Sequence, residues 1–457
     1  MAGGSGGRGR TGSRETPNRE RALPVYCLDP MKSLLLPFAL ILALRAGDAA
    51  AADVTAVRFG QLVNPPGDVV RDAVVIVEGD RVTKVGSGDG AVPAGTRVID
   101  LRPLTGIPGL IDVHTHMSFY WDRKAGTRPW AQLVSLSPAV TAYLAQENAR
   151  RTLETGVTTV RDLGSWQYVD VAMRDLINRG AMVGPRMLIA GYGLFITSTP
   201  SKAGRALEPG EANGVAEVQR VAREQIGAGA DWIKMYGSTG SDQDVTGFQT
   251  FSFEEMKAAA DVAHRAGKRI AIHSYGPDGA RDAVRAGADS VEHATDMDDA
   301  TIAEMARRGT VYVPTVDHNR YYIAHKEEFG YDQAVADRLN DYIKRNLETL
   351  KRAVRGRVTI AMGSDAVFTG FGENTRELEW FVKAGMSPGQ ALAAATSNGA
   401  ALLGMSKDVG AVAPGRYADI VAIDGDPLRD VGAVINGVRW VMKGGAVVVD
   451  RRAGAAR

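Results

Sequence analysis

Hydrophobic positions along this chain fall into short runs, and several of the runs close on a residue able to bind a metal ion. GLIDVHTH (109–116), ADWIKMY (230–236), KRIAIHSY (268–275), DSVEHAT (289–295) and TIAMGSDA (359–366) are too short for helices and read as buried strands. Stretches with helical spacing precede most of them, among them SFEEMKAAADVAHRAG and DDATIAEMARRG. The first of these opens on Ser252 with Glu255 three residues on, the spacing of a capping box. The pattern predicts strands at 107–113, 157–162, 186–193, 231–236, 269–274, 289–294, 311–316 and 359–364. The longest helix is expected between the last two, over 331–354. Strands alternating with helices predict a parallel sheet.

The two ends of the chain have a different rhythm. Residues 53–106 alternate apolar and polar positions, as in AVVIVEGDRVTKVG, with Gly79-Asp80 as a hairpin turn. Residues 404–457 return to strands, with GRYADIVAIDGDP and WVMKGGAVVVD. Neither segment alone could bury both faces of a sheet.

Six residues carry the candidate chemistry: His114, His116, Lys234, His273, His293 and Asp365. Residues i and i+2 of a strand share a face, so His114 and His116 can reach one ion, with Val113 and Thr115 turned away. A single strand histidine is often only a satisfied core residue. Here four of the chain's seven histidines sit at strand ends together with an aspartate and a lysine. A metal-binding set delivered from the ends of successive parallel strands is what a (β/α)8 barrel enzyme requires, since its active site lies at the carboxyl ends of the strands.

Composition is consistent with this. The chain has 457 residues, 45% hydrophobic and 23% charged, enough for a barrel core plus a small accessory domain. Its 53 glycines suit many tight turns. The net charge is +1 and no basic stretch lies beyond the N-terminus, so nucleic acid is not an expected partner. Residues 1–52 read as leader. Residues 1–30 are Gly- and Arg-rich and are expected to be disordered, or to precede the true start. Met31-Lys32 then opens a secretion signal with an apolar core from Leu34 to Leu44 and a cleavage zone near Ala50-Ala52. That core is shorter than the ~20 residues a membrane span needs, so no stable membrane anchor is expected. The mature protein would be exported to a periplasmic or extracellular location. Cys27 is the only cysteine, so the mature chain would have neither disulfides nor thiolate ligands.

PGLIDVHTHM, DWIKMY, IAIHSY, SVEHAT and AMGSDA, in this order, resemble the amidohydrolase superfamily in its binuclear, lysine-bridged type. More narrowly, the chain resembles the imidazolonepropionase-like and Xaa-Pro dipeptidase-like (prolidase) branch, which includes ochratoxinase-type amidases. The likeness runs from about Asp53 to Asp450. It implies an α/β fold: a (β/α)8 TIM-like barrel over 107–403, with 53–106 and 404–457 paired into one small β-sandwich. It implies two divalent ions. His114, His116 and Asp365 would hold the more buried ion, and His273 and His293 the more exposed one. Lys234 would bridge them as a carbamate formed with carbon dioxide. Nitrogen and oxygen ligands without thiolate suit Zn²⁺, with Mn²⁺, Co²⁺ or Fe²⁺ as substitutes. A bridging hydroxide would attack an amide carbonyl while Asp365 shuttles the proton.

The expected activity is that of a secreted amidase or dipeptidase acting on a dipeptide or N-acyl amino acid. The alternative is hydrolysis of cyclic amides or lactones, as in imidazolonepropionase-like enzymes. Tyr236, on the inward face with Lys234, is a candidate hydrogen-bond donor to the carbonyl oxygen or to a substrate carboxylate. In VDHNRYY, His318 and Arg320 are candidates for substrate contact, Arg320 as a clamp for a terminal carboxylate. Arg161 is expected to pair with a carboxylate near the barrel mouth, and His264 and His325 to be structural or solvated. Several relatives carry a Gly-Gly-His element after strand three; here LFITSTPSKAG has no histidine. Relatives often form rings or dimers, so a homo-oligomer is compatible with the resemblance.

Overall fold

The protein was analysed as a computed structural model that describes residues 54–197, 208–240, 245 and 247–452. The expected secretion signal and cleavage zone lie outside the described residues. Among the described residues, no helix is long and apolar enough to cross a membrane.

Both chain ends build one seven-stranded sheet. Strands Val54–Asn64, Asp68–Glu78, Arg81–Ser87 and Arg97–Pro108 come from the N-terminal side, and Ile420–Ile423, Val438–Lys443 and Ala446–Asp450 from the C-terminal side. The two halves join where Arg97–Pro108 pairs antiparallel with Ile420–Ile423. The far edge returns to the same region, because Val82 N–H donates to the Arg416 carbonyl at 2.9 Å. Side-chain alternation gives the sheet two apolar faces. Ile420 and Ala422 pack with Phe59, Val75 and Trp440 inside the curled sheet, whereas Val421 and Ile423 join the large core shared with the barrel.

The barrel consists of two four-stranded parallel arrays. One holds Trp232–Tyr236, Arg269–Ser274, Ser290–His293 and Val311–Val313; the other holds Arg186–Ile189, Val157–Asp162, Leu110–Tyr120 and Ala366–Phe368. Parallel bridges between Leu194 and Met235, and between Tyr312 and Ile360, link the arrays. The helix after Ser252 begins with the expected capping box and runs Phe253–Arg265. The long helix before the last strand runs Gln333–Arg355.

Four strand boundaries differ clearly from the sequence expectation; one is the run at 311–316, which ends at Val313 and gives way to a helix from Val316. The run expected at 107–113 divides at Gly109: Arg97–Pro108 belongs to the end sheet and Leu110–Tyr120 to the barrel. The third barrel strand is shorter than expected and stops at Ile189, just before Gly191 turns the backbone to φ 64°. The run at 359–364 crosses the barrel wall without forming a regular strand. Ala361 N–H reaches the Tyr312 carbonyl and Val113 N–H reaches that of Met362, but Met362 N–H is taken by the Ala394 carbonyl. Ile111 N–H is likewise taken by the Ala395 carbonyl. The C-terminal end of helix Pro388–Ala394 thus uses donors that a continuous ladder would need, and regular pairing resumes only at Ala366–Phe368.

Beneath the site, Trp232 and Ala271 sit one pleat behind Lys234 and His273. They pack with Ile111, Val113, Val313 and Ala361. This apolar layer holds the polar groups above it at the carboxyl ends of the strands.

Candidate metal centre and active site

His114, His116, Lys234, His273, His293 and Asp365 converge on one cavity and are all buried. The register of Leu110–Tyr120 against its neighbour shifts between Asp112 and Thr115. Such a bulge re-aims side chains locally. Here it accommodates His114 and His116 above Val113, which belongs to the apolar layer beneath. Asp365 Oδ1 lies 3.4 Å from His114 Nε2 and 3.3 Å from His116 Nε2. Its Oδ2 lies 3.9 Å from His293 Nδ1 and 3.4 Å from His318 Nε2. Ligand atoms of His114, His116 and Asp365 fall within 4.8 Å of one another, a spacing that fits one ion. The His273 and His293 rings are 4.5 Å apart, beside that group.

Several buried atoms are left over for a cation. Among the described residues, His114 Nε2, His273 Nε2 and Lys234 Nζ have no hydrogen-bond partner. A buried polar atom without a partner costs about 1–3 kcal/mol, so three orphans around one cavity fit a bound metal. Protonation is arranged to match. Burial pushes the His114 imidazole down to about 4 and holds His273 and His293 well below the usual histidine range. The rings are therefore neutral, with lone pairs available. Burial alone would raise the Asp365 carboxyl, but the facing histidines, His318 and His114 foremost, hold it well below the usual range. Lys234 is lowered to about 8, chiefly by burial.

Partners outside the cavity orient these groups. His114 Nδ1 lies 2.8 Å from Glu292 Oε2, and Glu292 Oε1 accepts from Arg161 at 2.9 Å. Arg161 is fully buried, donates to Ser290 Oγ at 2.9 Å and lies over the Trp232 ring. It thus finds the expected carboxylate. His293 Nδ1 is 2.7 Å from Thr315 Oγ1. Asp112 accepts from Ser364 Oγ at 2.6 Å, Asn374 Nδ2 at 3.0 Å and His114 N–H at 3.1 Å. It ties the strand carrying His114 to the turn carrying Asp365. At Gly363 a Cβ would stand 2.4 Å from Val313 and 2.7 Å from the His114 side chain, so only glycine allows this crossing. His293 and Asp365 themselves adopt positive φ, 72° and 52°. Non-glycine residues in that region cluster at ligand and active sites.

Tyr236 lines the cavity, its ring accommodated by Gly193, where a Cβ would stand 2.4 Å from Tyr236 Cε2. His318 also lines the cavity. Arg320 does not. Its guanidinium is bidentate to Asp317, both bonds 2.8 Å, and donates to Glu373 at 2.7 Å. The expected carboxylate clamp is therefore not met by its placement. The reason is local folding: VDHNRYY forms the helix Val316–Ala324, whose first amides donate to Glu377, and this turns Arg320 toward Asp317, one turn back. His264 pairs with Asp289 and His325 with Glu328, both away from the cavity. The loop LFITSTPSKAG lies largely outside the described residues.

Sequence reasoning did not single out Glu292, Asp112 or Thr315. The signal for Glu292 was present, as a charge inside the apolar run DSVEHAT in a chain with another buried-strand charge at Arg161. The cavity, about 520 Å³ and open to solvent, also takes in Phe119, Arg128, Trp130 and Phe368, none of them anticipated.

Comparison with known proteins agrees with this geometry. The model of the amidohydrolase family matches residues 105–448. The ochratoxinase of Aspergillus niger is 29% identical over 419 residues, covering 83% of this chain and 83% of that protein. A Xaa-Pro dipeptidase crystallised with methionine in its active site superposes with a TM-score of 0.78 at 29% identity, over 86% of this chain and 99% of its own. A prolidase complexed with N-methylphosphonate-L-proline gives 0.78 at 26% identity, over 87% and 100%.

Proposed function

The chain belongs to the amidohydrolase family and is a metal-dependent hydrolase with His114, His116 and Asp365 as a metal site; from that premise we propose that it is an exported, binuclear amidase cleaving a dipeptide or N-acyl amino acid. The observation that carries the binuclear reading is Lys234 Nζ, buried, without a hydrogen-bond partner among the described residues, and in one cavity with His114, His116, His273 and His293. Lysine is rarely buried unless paired, and an ammonium there would repel cations. With its pKa lowered to about 8, a substantial fraction is neutral amine near neutral pH. The amine nitrogen bonds to the carbon of carbon dioxide and releases a proton. The resulting carbamate carries one negative charge shared over two oxygens, and would add an anionic donor to a set in which His114, His116 and Asp365 hold one ion and His273 and His293 the other. The nitrogen–oxygen donor set without thiolate favours Zn²⁺.

When bound, the ions supply Lewis acidity toward the scissile carbonyl and a water nucleophilic at neutral pH. Asp365, held ionised, takes the proton of the attacking water and returns it to the leaving amine. Tyr236 directs its hydroxyl hydrogen bond at the carbonyl oxygen as negative charge develops there. The amide specificity is supported by the ochratoxinase, dipeptidase and prolidase likenesses. Export is supported by the leader at 31–52.

The test is metal analysis of the purified protein together with Lys234→Ala. Close to two divalent ions per chain are expected, with chelation abolishing amide hydrolysis. Lys234→Ala should lose at least one ion and most activity, with partial recovery on adding a short carboxylate. Full metal content and near-normal activity in that variant would make the lysine merely structural. Turnover of lactones or cyclic amides with no turnover of linear amides would favour the imidazolonepropionase-like alternative.

A further inference from the structure

The cavity has a second wall that the metal chemistry does not explain. Phe119, Trp130 and Phe368 line it. Their ring centroids are 5.3 Å apart for Phe119 and Phe368, 5.9 Å for Phe119 and Trp130, and 6.3 Å for Trp130 and Phe368. Two of the three pairs meet edge to face, at interplanar angles of 72° and 87°. The rings therefore pack on one another as one cluster that presents both edges and faces to the cavity, instead of forming a flat stack. Phe119 also lies 5.4 Å, ring to ring, from His116, so the wall begins one ring away from a metal ligand. None of the three is absorbed into the core: Phe119 and Phe368 are half-buried, and Trp130 keeps 53% of its surface exposed. Large rings left to water beside a polar site mark places where something binds.

Phe368 supplies an independent observation. Its φ is 57°, a region that bulky side chains rarely adopt. Strain of this kind concentrates at ligand clamps.

The same wall carries a cation. Arg128 stands two residues before Trp130 and lines the cavity. Its recorded hydrogen bond is to the Phe329 carbonyl at 3.5 Å, and among the described residues it pairs with no carboxylate. Arg320, in contrast, is saturated by Asp317 and Glu373. Apart from Lys234, Arg128 is the cavity's only lysine or arginine among the described residues.

Resting on the amidase reading above, we infer that Phe119, Trp130 and Phe368 form a specificity subsite for an aromatic ring next to the scissile amide, with Arg128 taking the substrate's free carboxylate. The substrate class is then an N-acyl amino acid or dipeptide that bears an aromatic group, in its free-acid form. The cluster forms one wall against which the aromatic group packs by edge and face contacts. Arg128 supplies a planar pair of donors suited to a carboxylate.

The metal-loaded full chain is assayed on two matched pairs, N-acetylphenylalanine against N-acetylleucine and hippurate against N-acetylglycine, each also as its primary carboxamide. At least one pair should show a preference in kcat/KM of about 10-fold or more for the aromatic member, the scale of burying one ring. Trp130→Leu and Phe368→Leu should each lower that ratio several-fold at unchanged metal content and unfolding temperature. Arg128→Gln should erase most of the free-acid preference, mainly through KM. Amide turnover with an aromatic ratio near one in wild type, or a ratio untouched by both ring variants, overturns the subsite while leaving the amidase reading standing. If no linear amide is cleaved, the amidase reading fails, and binding of 3-phenylpropanoate against hexanoate by calorimetry decides the subsite. About 10-fold tighter binding of the aromatic acid, lost in Trp130→Leu, supports it, and equal affinity overturns it.

Discussion

The carboxylate of Glu292 stands between His114, 2.8 Å from its Nδ1, and Arg161, 2.9 Å from its Nη2. Burial alone would raise this carboxyl, but Arg161, His114 and Lys234 hold it below its usual range. It stays ionised, accepts the Nδ1–H of His114 and leaves the Nε2 lone pair facing Asp365. Arg161 is a fully buried cation whose charge is matched here.

Glu292→Gln should therefore weaken two things together. An amide can present either its oxygen or its NH₂ to His114, so the tautomer is no longer imposed. Loss of such an outer partner typically lowers metal affinity about 10–100-fold. Arg161 would also be left buried without its counter-charge, a defect that costs about 3–5 kcal/mol when a buried pair is broken. Metal titration and denaturant unfolding of the same variant check both. Wild-type metal affinity would show that Glu292 serves only Arg161.

The difference between what was legible in the chain and what was not follows from range. The i, i+2 spacing of His114 and His116 and the terminal positions of Lys234, His273 and His293 are local features, so the residues that meet in the cavity were readable from their runs. The (β/α)8 class followed from strand–helix alternation for the same reason. The run at 359–364 has the composition of a strand, but the Ala394 carbonyl takes its Met362 amide, and that competition depends on a helix some thirty residues away. Arg320 was legible as a cation and not as one already committed, because Asp317 comes within reach only once 316–324 is helical and its second partner, Glu373, lies 53 positions on. The aromatic wall was missed because Phe119, Trp130 and Phe368 come from three separate segments, with no shared run to reveal them.

Asp365→Asn separates holding a metal from moving a proton. The asparagine keeps an oxygen toward His114 and His116 and cannot accept a proton. We expect kcat to fall by at least ~10²-fold, the usual contribution of general acid–base catalysis, in protein that still folds. Because the Asp365 carboxyl is held well below 3.8, wild-type kcat should show no loss attributable to this residue above about pH 4, and any decline there should track metal release. Stopped assays on metal-quantified samples test this. A variant within a few-fold of wild type removes Asp365 from proton transfer.

Glu377 gives stability a pH dependence of defined sign. It is buried, accepts the amides of Val316 and Asp317 at 2.9 and 2.8 Å, and is pushed by burial from 4.5 to about 8. Its folded form therefore holds a proton that the unfolded chain has lost by neutral pH. For an acid raised in the fold, the folded state binds more protons, so stability is greatest at low pH and is lost as pH rises from about 4.5 through about 8. Glu377→Gln removes the titration and keeps an acceptor for one of the two amides, since Val316 and Asp317 donate to different oxygens; that loss is a constant offset across pH. The unfolding temperature of wild type relative to Glu377→Gln should fall steadily between pH 5 and pH 8 at fixed metal concentration. Parallel curves across that window would mean that Glu377 is ionised in the folded protein. The helix Val316–Ala324 carrying His318 would then be anchored by a charge, and Glu377→Gln should instead loosen that helix at every pH in the window.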